Sequence, residues 1–497
     1  MKKNQINKPN IVLICSDQHN FGVTGCYGDG IIATPNLDRL ANEGVVFDAA
    51  YCSAPLCVPS RMSFLTGLYP FNNDAIANGS TLASIIPTYA HIAVMTGYHT
   101  VLSGRMHFKG PDQRHGFIER LVGETEPLFY WAATHAIFHP LKGKLANMST
   151  PDPLSATGAG NTCYIDYDKT VTGATCSWLD SYGKHKNPRP FLMTVGYVTP
   201  HCPYIAPPEL YDKYVNQVEL EDIPAGEFAQ LHPAHKDFIR RAKINAVSHK
   251  QRLAAKTAYY GLVDFLDTQI GKVLDSLKKN GMLNNTIVIY FSDHGDLIGE
   301  HGRWHKGCFF EGSIRVPLII KMPDKAHAGK RIKQNVALVD IFPTLCELMN
   351  AQVHYKIDGR SLMPLMTRKK PAWDNIVKAE YYEGNCTRMV RKDKWKLNYY
   401  SNYGARELFN LEEDSRELKN LSGSRQHKKI EKDLLKLVFN DGWDNNVLKK
   451  NDEKLARFGY YEMISKFAQA FGKDSEYYRT APDFWADVQK CKNWLRK

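Results

Sequence analysis

Three apolar runs, each ending abruptly in polar residues, constrain this chain more than any other feature. They span residues 10–16, 191–197 and 286–291, and Asp17-Gln18, His201 and Asp293-His294 stand just beyond them. Unbroken apolarity of this kind is what a strand buried on both faces requires. Before the third run, Leu262, Leu266, Ile270, Val273, Leu274 and Leu277 recur at helical spacing. Strand, long helix, strand is the grammar of a doubly wound α/β sheet. In such sheets chemistry collects in loops beyond the carboxyl ends of the strands, so three strand ends are expected to bring polar side chains to one rim. A fourth run, 316–320, contains Pro317 and predicts an edge or short strand. Pro35 predicts the first turn of a helix with Thr34 as its N-cap.

At 497 residues the chain exceeds one ordinary domain. The turn-rich stretch Asp358-Gly359-Arg360-Ser361-Leu362 and the charged Arg368-Lys369-Lys370-Pro371 mark a junction, dividing the chain into residues 1–366 and a smaller domain, 367–497. In the latter, 389–397 and 407–411 read as antiparallel strands, and the Lys-rich, aromatic tail, with Tyr460-Tyr461 and Phe484-Trp485, reads as helices. No stretch approaches the roughly 20 apolar residues that cross a bilayer. The short run from Ile11 to Cys15 leads straight into Ser16-Asp17 and reads as a core strand, not a signal peptide. The expected compartment for the sequence as it stands is the cytoplasm, or the periplasm or exterior if a leader has been removed. Eleven scattered cysteines without a C-x-x-C pair argue against a disulfide framework or a structural zinc site.

A net charge of +12 favours anionic partners by long-range steering. Nucleic acid is set aside, because no basic block interleaves with aromatic repeats and no nucleic-acid motif is present. Asp17, Gln18, Asp293 and His294 form a candidate ligand set for a divalent cation. Carboxylate and amide oxygens favour Ca²⁺ first, with Mg²⁺ as an alternative, and one imidazole leaves Mn²⁺ open. His301 and His305 are four apart, but HGRWH lacks the glutamate of H-E-x-x-H and contains a glycine, which argues against zinc.

The segment Cys57 to Gly67, CVPSRMSFLTG, sets Cys, Pro and Arg at fixed offsets before a helical-looking stretch that ends in glycine. A cysteine phosphatase loop would need Arg six positions after Cys, where this chain has Ser63. The segment resembles the maturation signature of the type I sulfatases, C-x-P-S-R followed by L-T-G. Further resemblances follow in family order: Gly97-Tyr98-His99-Thr100 with Gly104-Arg105-Met106-His107, Pro200-His201 with Pro203, and Ser292-Asp293-His294-Gly295 with Lys306. Asp340-Ile341-Phe342-Pro343-Thr344, Asp358 to Leu362 and Glu407-Leu408-Phe409-Asn410-Leu411 extend the similarity over about residues 8 to 421.

The resemblance implies an alkaline-phosphatase-like fold: a large catalytic α/β domain with a central mixed, mostly parallel sheet flanked by helices, and a smaller C-terminal α+β domain with an antiparallel sheet. It also implies that a formylglycine-generating enzyme converts Cys57 to formylglycine, which serves as nucleophile and cation ligand. Arg61 would stabilise it, His107 would be the base that collapses the sulfated hemiacetal, and His201 and Lys306 would bind sulfate and assist the leaving oxygen. Arg105 stands where the family usually has lysine, and a planar guanidinium is not a point-charge ammonium. Asn78, in Ala77-Asn78-Gly79, resembles an anion-contacting asparagine of choline sulfatases and phosphonate monoester hydrolases. Residues 104–108, 110–113 and 115–117, together with Gln18 and His294, are similar to the choline-sulfatase branch.

The expected activity is sulfate monoester hydrolysis, on a small anionic sulfate ester or sulfated saccharide. Choline sulfate, which would need an aromatic or acidic cage, and phosphonate or phosphate monoesters are the alternatives within the superfamily. A catalytically silent sulfated-glycan-binding protein with unmodified Cys57 is the alternative outside enzymology. A homo-oligomer is compatible with the sequence.

Overall fold

The computed structural model describes residues 8–125, 154, 156–186, 188–221, 231–242, 244–382, 386–401 and 405–443. Its larger part contains β1 (Asn10–Asp17), β2 (Val45–Tyr51), β3 (His99–Gly104), β4 (Glu119–Val122), β5 (Gly158–Ala159), β6 (Phe191–Pro200), β7 (Ile205–Ala206), β8 (Thr286–Ser292), β9 (Arg315–Val316), β10 (Leu318–Lys321) and β11 (Lys330–Ala337). One nine-stranded sheet runs β11-β2-β10-β8-β1-β6-β3-β4, with β9 pairing β2 beside that path, while β5 and β7 form a separate small ladder. All pairings of this sheet are parallel except those of β9 and β10.

The three apolar runs of the sequence are its centre. Ile11, Val12, Leu13 and Ile14 of β1 are fully buried, and successive side chains of a strand leave by opposite faces. Ile11 and Leu13 join a core with Val58, Met62 and Leu65, whereas Val12 and Ile14 pack with Leu266, Ile270, Val273 and Leu277. Each such aliphatic side chain contributes on the order of 1.5–3 kcal/mol by burial. The helices used below are α1 (Pro35–Asn42), α2 (Cys57–Thr66), α3 (Cys163–Tyr182), α4 (His249–Lys279), α5 (Glu311–Ile314) and α6 (Lys428–Phe439). The long helix α4 starts in a capping box, with Ser248 Oγ accepting from the Gln251 amide and Gln251 Oε1 accepting from the Ser248 amide.

Register explains why the strand ends meet. β1 is flanked by β8, with Ser16 opposite Ser292, and by β6, with Asp17 opposite Pro200. Asp17, Asp293 and His201 therefore emerge side by side.

Two expectations are corrected. β10 is short, as Pro317 predicts, but it lies inside the sheet between β2 and β8 and runs antiparallel to both; the proline falls between β9 and β10 and costs neither strand a ladder bond. Thr34 occupies the N-cap position of α1 without capping it. The carboxylate of Asp267, on α4, accepts from the Asn36 and Leu37 amides instead.

A second sheet holds β12 (Ile376–Tyr381), β13 (Thr387–Lys392), β14 (Trp395–Tyr400) and β15 (Ala405–Asn410) in that order, all antiparallel. Residues 389–397, read as one strand in the sequence, fold as a hairpin that turns at Asp393, whose φ is 53°. Helix α6 covers this sheet, with Leu434 and Val438 against Val390, Leu397 and Leu408. Tyr460-Tyr461 and Phe484-Trp485 lie outside the described residues.

Candidate active site

Helix α2 begins at Cys57, between the ends of β1 and β8. The C-x-P-S-R spacing is helical: Cys57 and Arg61 sit four apart on one face. Pro59 falls in the first turn, where its missing N–H would have no intrahelical partner. Asn78 Oδ1 accepts from the Val58 amide at 3.0 Å, and Ser60 Oγ donates to the Asp293 carbonyl at 2.5 Å. Position 57 is thus locked to the end of β8 and opens the positive end of a helix.

Around it, two carboxylates divide their oxygens between roles. Asp17 Oδ2 accepts from Arg61 at 3.2 Å and from Arg105 Nε at 2.7 Å, while Asp293 Oδ2 accepts from Arg61 Nε at 2.8 Å. The opposite oxygens, Asp17 Oδ1 and Asp293 Oδ1, each lie 3.6 Å from His294 Nε2. His294 Nδ1 donates to the Gly295 carbonyl at 3.0 Å, which leaves Nε2 as the ring nitrogen that can offer a lone pair to a cation. One donor atom from each of Asp17, Cys57, Asp293 and His294 falls within 4.8 Å of the others, and all four residues are buried. Gln18, at φ 70°, brings its amide oxygen next to this group, where Oε1 accepts at 2.6 Å from Lys306 Nζ, itself 4.0 Å from Asp17 Oδ1. Two carboxylate oxygens, one imidazole nitrogen and an amide oxygen, with outer oxygens already held by arginines, fit a hard divalent cation.

The other side of Cys57 is basic. Its Sγ lies 3.1 Å from Lys306 Nζ and 3.2 Å from His294 Nε2. Burial alone would raise the Cys57 thiol, but Lys306, His294 and hydrogen bonds from His107 and His201 hold it well below its usual range. Burial likewise disfavours the charge on Lys306, yet Cys57, Asp17 and Asp293 raise its pKa. His201 is opposed by burial and by Lys306, but Cys202 and Asp17 keep it well above the ordinary histidine value. Burial raises the Cys202 thiol, while His201 and His305 bring it down to about 5. A tetrahedral anion entering here would meet preorganised cations.

Arg105 reaches the site because β3 and β6 approach closely. A Cβ at Gly196 would lie 1.8 Å from the Arg105 carbonyl, so only glycine fits there. From that position the guanidinium also meets Thr125 Oγ1 at 3.1 Å and His107 Nδ1 at 3.0 Å. Arginine can only donate, so Nδ1 accepts and a neutral His107 carries its proton on Nε2.

The structure thus gathers Asp17, Gln18, Cys57, Arg61, Arg105, His107, His201, Asp293, His294 and Lys306 about one point, with Asn78 at the start of α2. His301 and His305 are kept apart, since His301 stacks on Phe310 and His305 on Tyr204. Sequence reasoning gave no role to Asp296, Tyr204, Cys202 or Thr125. A carboxylate two positions past His294 is a signal that could have flagged Asp296; Thr125 carries none.

The family model "Sulfatase" matches residues 9–351, and "N-sulphoglucosamine sulphohydrolase, C-terminal" matches 299–441. The choline-sulfatase of Rhizobium meliloti (strain 1021) is 34% identical over 441 residues, covering 84% of this chain and 82% of that protein. The N-acetylglucosamine-6-O-sulfatase of Bacteroides thetaiotaomicron is 26% identical over 488 residues, covering 88% and 87%. Among solved structures, the phosphonate monoester hydrolase of Agrobacterium radiobacter superposes with a TM-score of 0.71 at 22% identity over 87% of this chain and 95% of that one, a likeness of fold. With a family model spanning both the Cys57 helix and the β8 rim, and a relative at 34% identity over most of the chain, this sulfuric ester hydrolase belongs to the sulfatase family, in its choline-sulfatase-like branch.

Proposed function

We propose that the chain hydrolyses a sulfate monoester of a sulfated carbohydrate, using a formylglycine made from Cys57 and a divalent cation held by Asp17, Gln18, residue 57, Asp293 and His294. The observation that carries this reading is the convergence of a cation-type donor set and Lys306 on a single buried Sγ. The oxygen-rich set favours Ca²⁺, with Mg²⁺ or Mn²⁺ as alternatives. When present, the hydrated aldehyde offers sulfur a hydroxyl nucleophile and the cation neutralises sulfate oxygens. The chain's own residues do the rest. Lys306 and His201 hold sulfate oxygens and protonate the departing alcohol, and His107, whose Nδ1 accepts from Arg105, offers its Nε2–H as a hydrogen bond to an oxygen on residue 57. Arg61 acts through Asp17 and Asp293, whose outer oxygens it binds.

The substrate class is supported by the +12 net charge and by the likeness to an N-acetylglucosamine-6-O-sulfatase. The likeness to a choline-sulfatase favours choline sulfate as the second reading. The test couples maturation to a substrate panel. The peptide bearing residue 57 is expected to be lighter by about 18 Da than its cysteine form, and sulfated saccharides are expected to be turned over faster than choline sulfate or an aryl phosphonate. Preference for choline sulfate replaces the substrate, preference for phosphonate replaces the reaction, and unmodified Cys57 with no turnover leaves a glycan-binding protein.

A further inference from the structure

We infer that Asp296 is a positioning residue that fixes which end of the Gln18 amide faces the cation. The inference rests on the reading of Gln18 as a cation ligand. Gln18 is fully buried, and its two amide atoms are chemically distinct, one accepting and the other donating. Nε2 donates to Asp296 Oδ2 at 2.6 Å, and Oε1 accepts from Lys306 Nζ at 2.6 Å. An ionised carboxylate cannot donate and an ammonium cannot accept, so the reverse orientation would lose both bonds. Lys306 Nζ, which Oε1 touches, lies 3.1 Å from Cys57 Sγ and 4.0 Å from Asp17 Oδ1, so the oxygen end of the amide stands beside the group of ligand atoms from Asp17, Cys57, Asp293 and His294, with a second lone pair to offer.

Asp296 is itself pinned by four donors. Oδ2 also accepts from Tyr204 Oη at 2.6 Å, and Oδ1 accepts from the Ile298 and His305 amides at 3.0 and 2.9 Å. These contacts make an isosteric exchange informative. In Asp296→Asn, the two backbone amides hold the remaining oxygen at the Oδ1 position. The new NH₂ then faces Gln18 Nε2, donor against donor. Tyr204 can rotate its hydroxyl to accept, but Gln18 can escape only by flipping, which turns Nε2 towards Lys306 and the cation. Adding Gln18→Glu reverses this, because a glutamate accepts at both ends: one oxygen accepts from the new NH₂ at position 296 and the other faces Lys306 and the cation. The carboxylate charge has moved from position 296 to position 18 with the total unchanged.

The experiment titrates chelator-stripped protein with Ca²⁺ and with Mn²⁺ by calorimetry, alongside the thermal midpoint of each stripped variant. D296N is expected to bind about 10–100-fold more weakly, as loss of an outer partner does, and D296N/Q18E to return to within about twofold of wild type. A role confined to the fold would lower the midpoint of D296N, and Gln18→Glu would not restore affinity. If D296N alone does not fold, the double variant carries the test, and its failure to fold or bind overturns the inference. Wild-type affinity in D296N overturns it alone, whereas a wild type that binds neither ion overturns the cation reading and this inference together.

Discussion

Arg105 shows what one residue can do that its usual counterpart cannot. Its Nε holds Asp17 and its two terminal nitrogens hold Thr125 and His107, a span that needs a fork and not a point charge. A lysine at this position can keep one or two of these partners. Arg105→Lys is therefore expected to lower kcat by about 10²-fold through misplacement of His107, with KM for the sulfate ester changed much less; an unchanged kcat would remove this role. Asp293 is the sharper test of the cation. Asp293→Asn keeps one oxygen but removes the charge that faces His294 and Arg61, and should weaken cation binding by more than the roughly 10–100-fold that loss of an outer partner costs. Chelation should abolish activity of the wild type, and readdition of cation should restore it; full activity in metal-free protein by elemental analysis would count against the site. Arg105 was legible in the sequence through the resemblance of residues 104–107 to a sulfatase block in which lysine is usual. Its partners were not, because Thr125 and Asp17 are joined to it only by the β3–β6 approach at Gly196.

At the scale of elements, the rim of three strand ends was legible because β1, β6 and β8 are apolar throughout and stop at polar residues. The interior place of β10 was not, since four residues after a proline carry no information about which neighbours pair with them. Nor were the buried carboxylates that tie elements together, which look in sequence like any helix-surface acid. Asp168 on α3 accepts from the Val198 amide, the Thr199 amide and Thr199 Oγ1, fixing the end of β6 just before His201. Burial raises its pKa to about 6 despite these bonds. The folded protein thus takes up this proton at a pH where the unfolded chain, near 3.9, does not, and the side chain's contribution to stability grows as pH falls from about 7 to 4. Asp168→Asn turns a donor towards one of those backbone or hydroxyl donors and should cost about 1–3 kcal/mol. The gap in thermal midpoint between wild type and D168N is expected to be wider at pH 5 than at pH 7; a narrower gap would mean that the hydrogen bonds outweigh burial.

At the scale of the molecule, the second sheet braces the catalytic rim. The amide of Glu380 on β12 donates to the Ser53 carbonyl and its Oε2 accepts from the Phe71 amide, so it grips the chain on both sides of α2. Lys396 on β14 is fully buried and pairs with Glu311 Oε1 at 2.9 Å and Glu417 Oε1 at 2.6 Å. Glu311 opens α5, five residues after Lys306, and its amide donates to Glu417 Oε2 at 2.7 Å. Removing the ammonium leaves two carboxylates facing each other in the core. Lys396→Met is expected to destabilise by about 3–5 kcal/mol near pH 8 and to lower kcat, because the segment carrying Lys306 loses its anchor. Burial already raises Glu417 to about 7, with Lys396 working against that rise. An acid with a raised folded pKa gains stability as pH falls towards its unfolded value, and loss of Lys396 enlarges that gain. The deficit in thermal midpoint of K396M should therefore shrink between pH 8 and pH 6. Adding Glu417→Gln removes one of the opposed charges while an amide oxygen remains for the Glu311 N–H, and should recover part of both stability and kcat at pH 8. A K396M deficit that grows on acidification, or a double variant no better than K396M, would show that the brace acts through packing and not through this buried charge network.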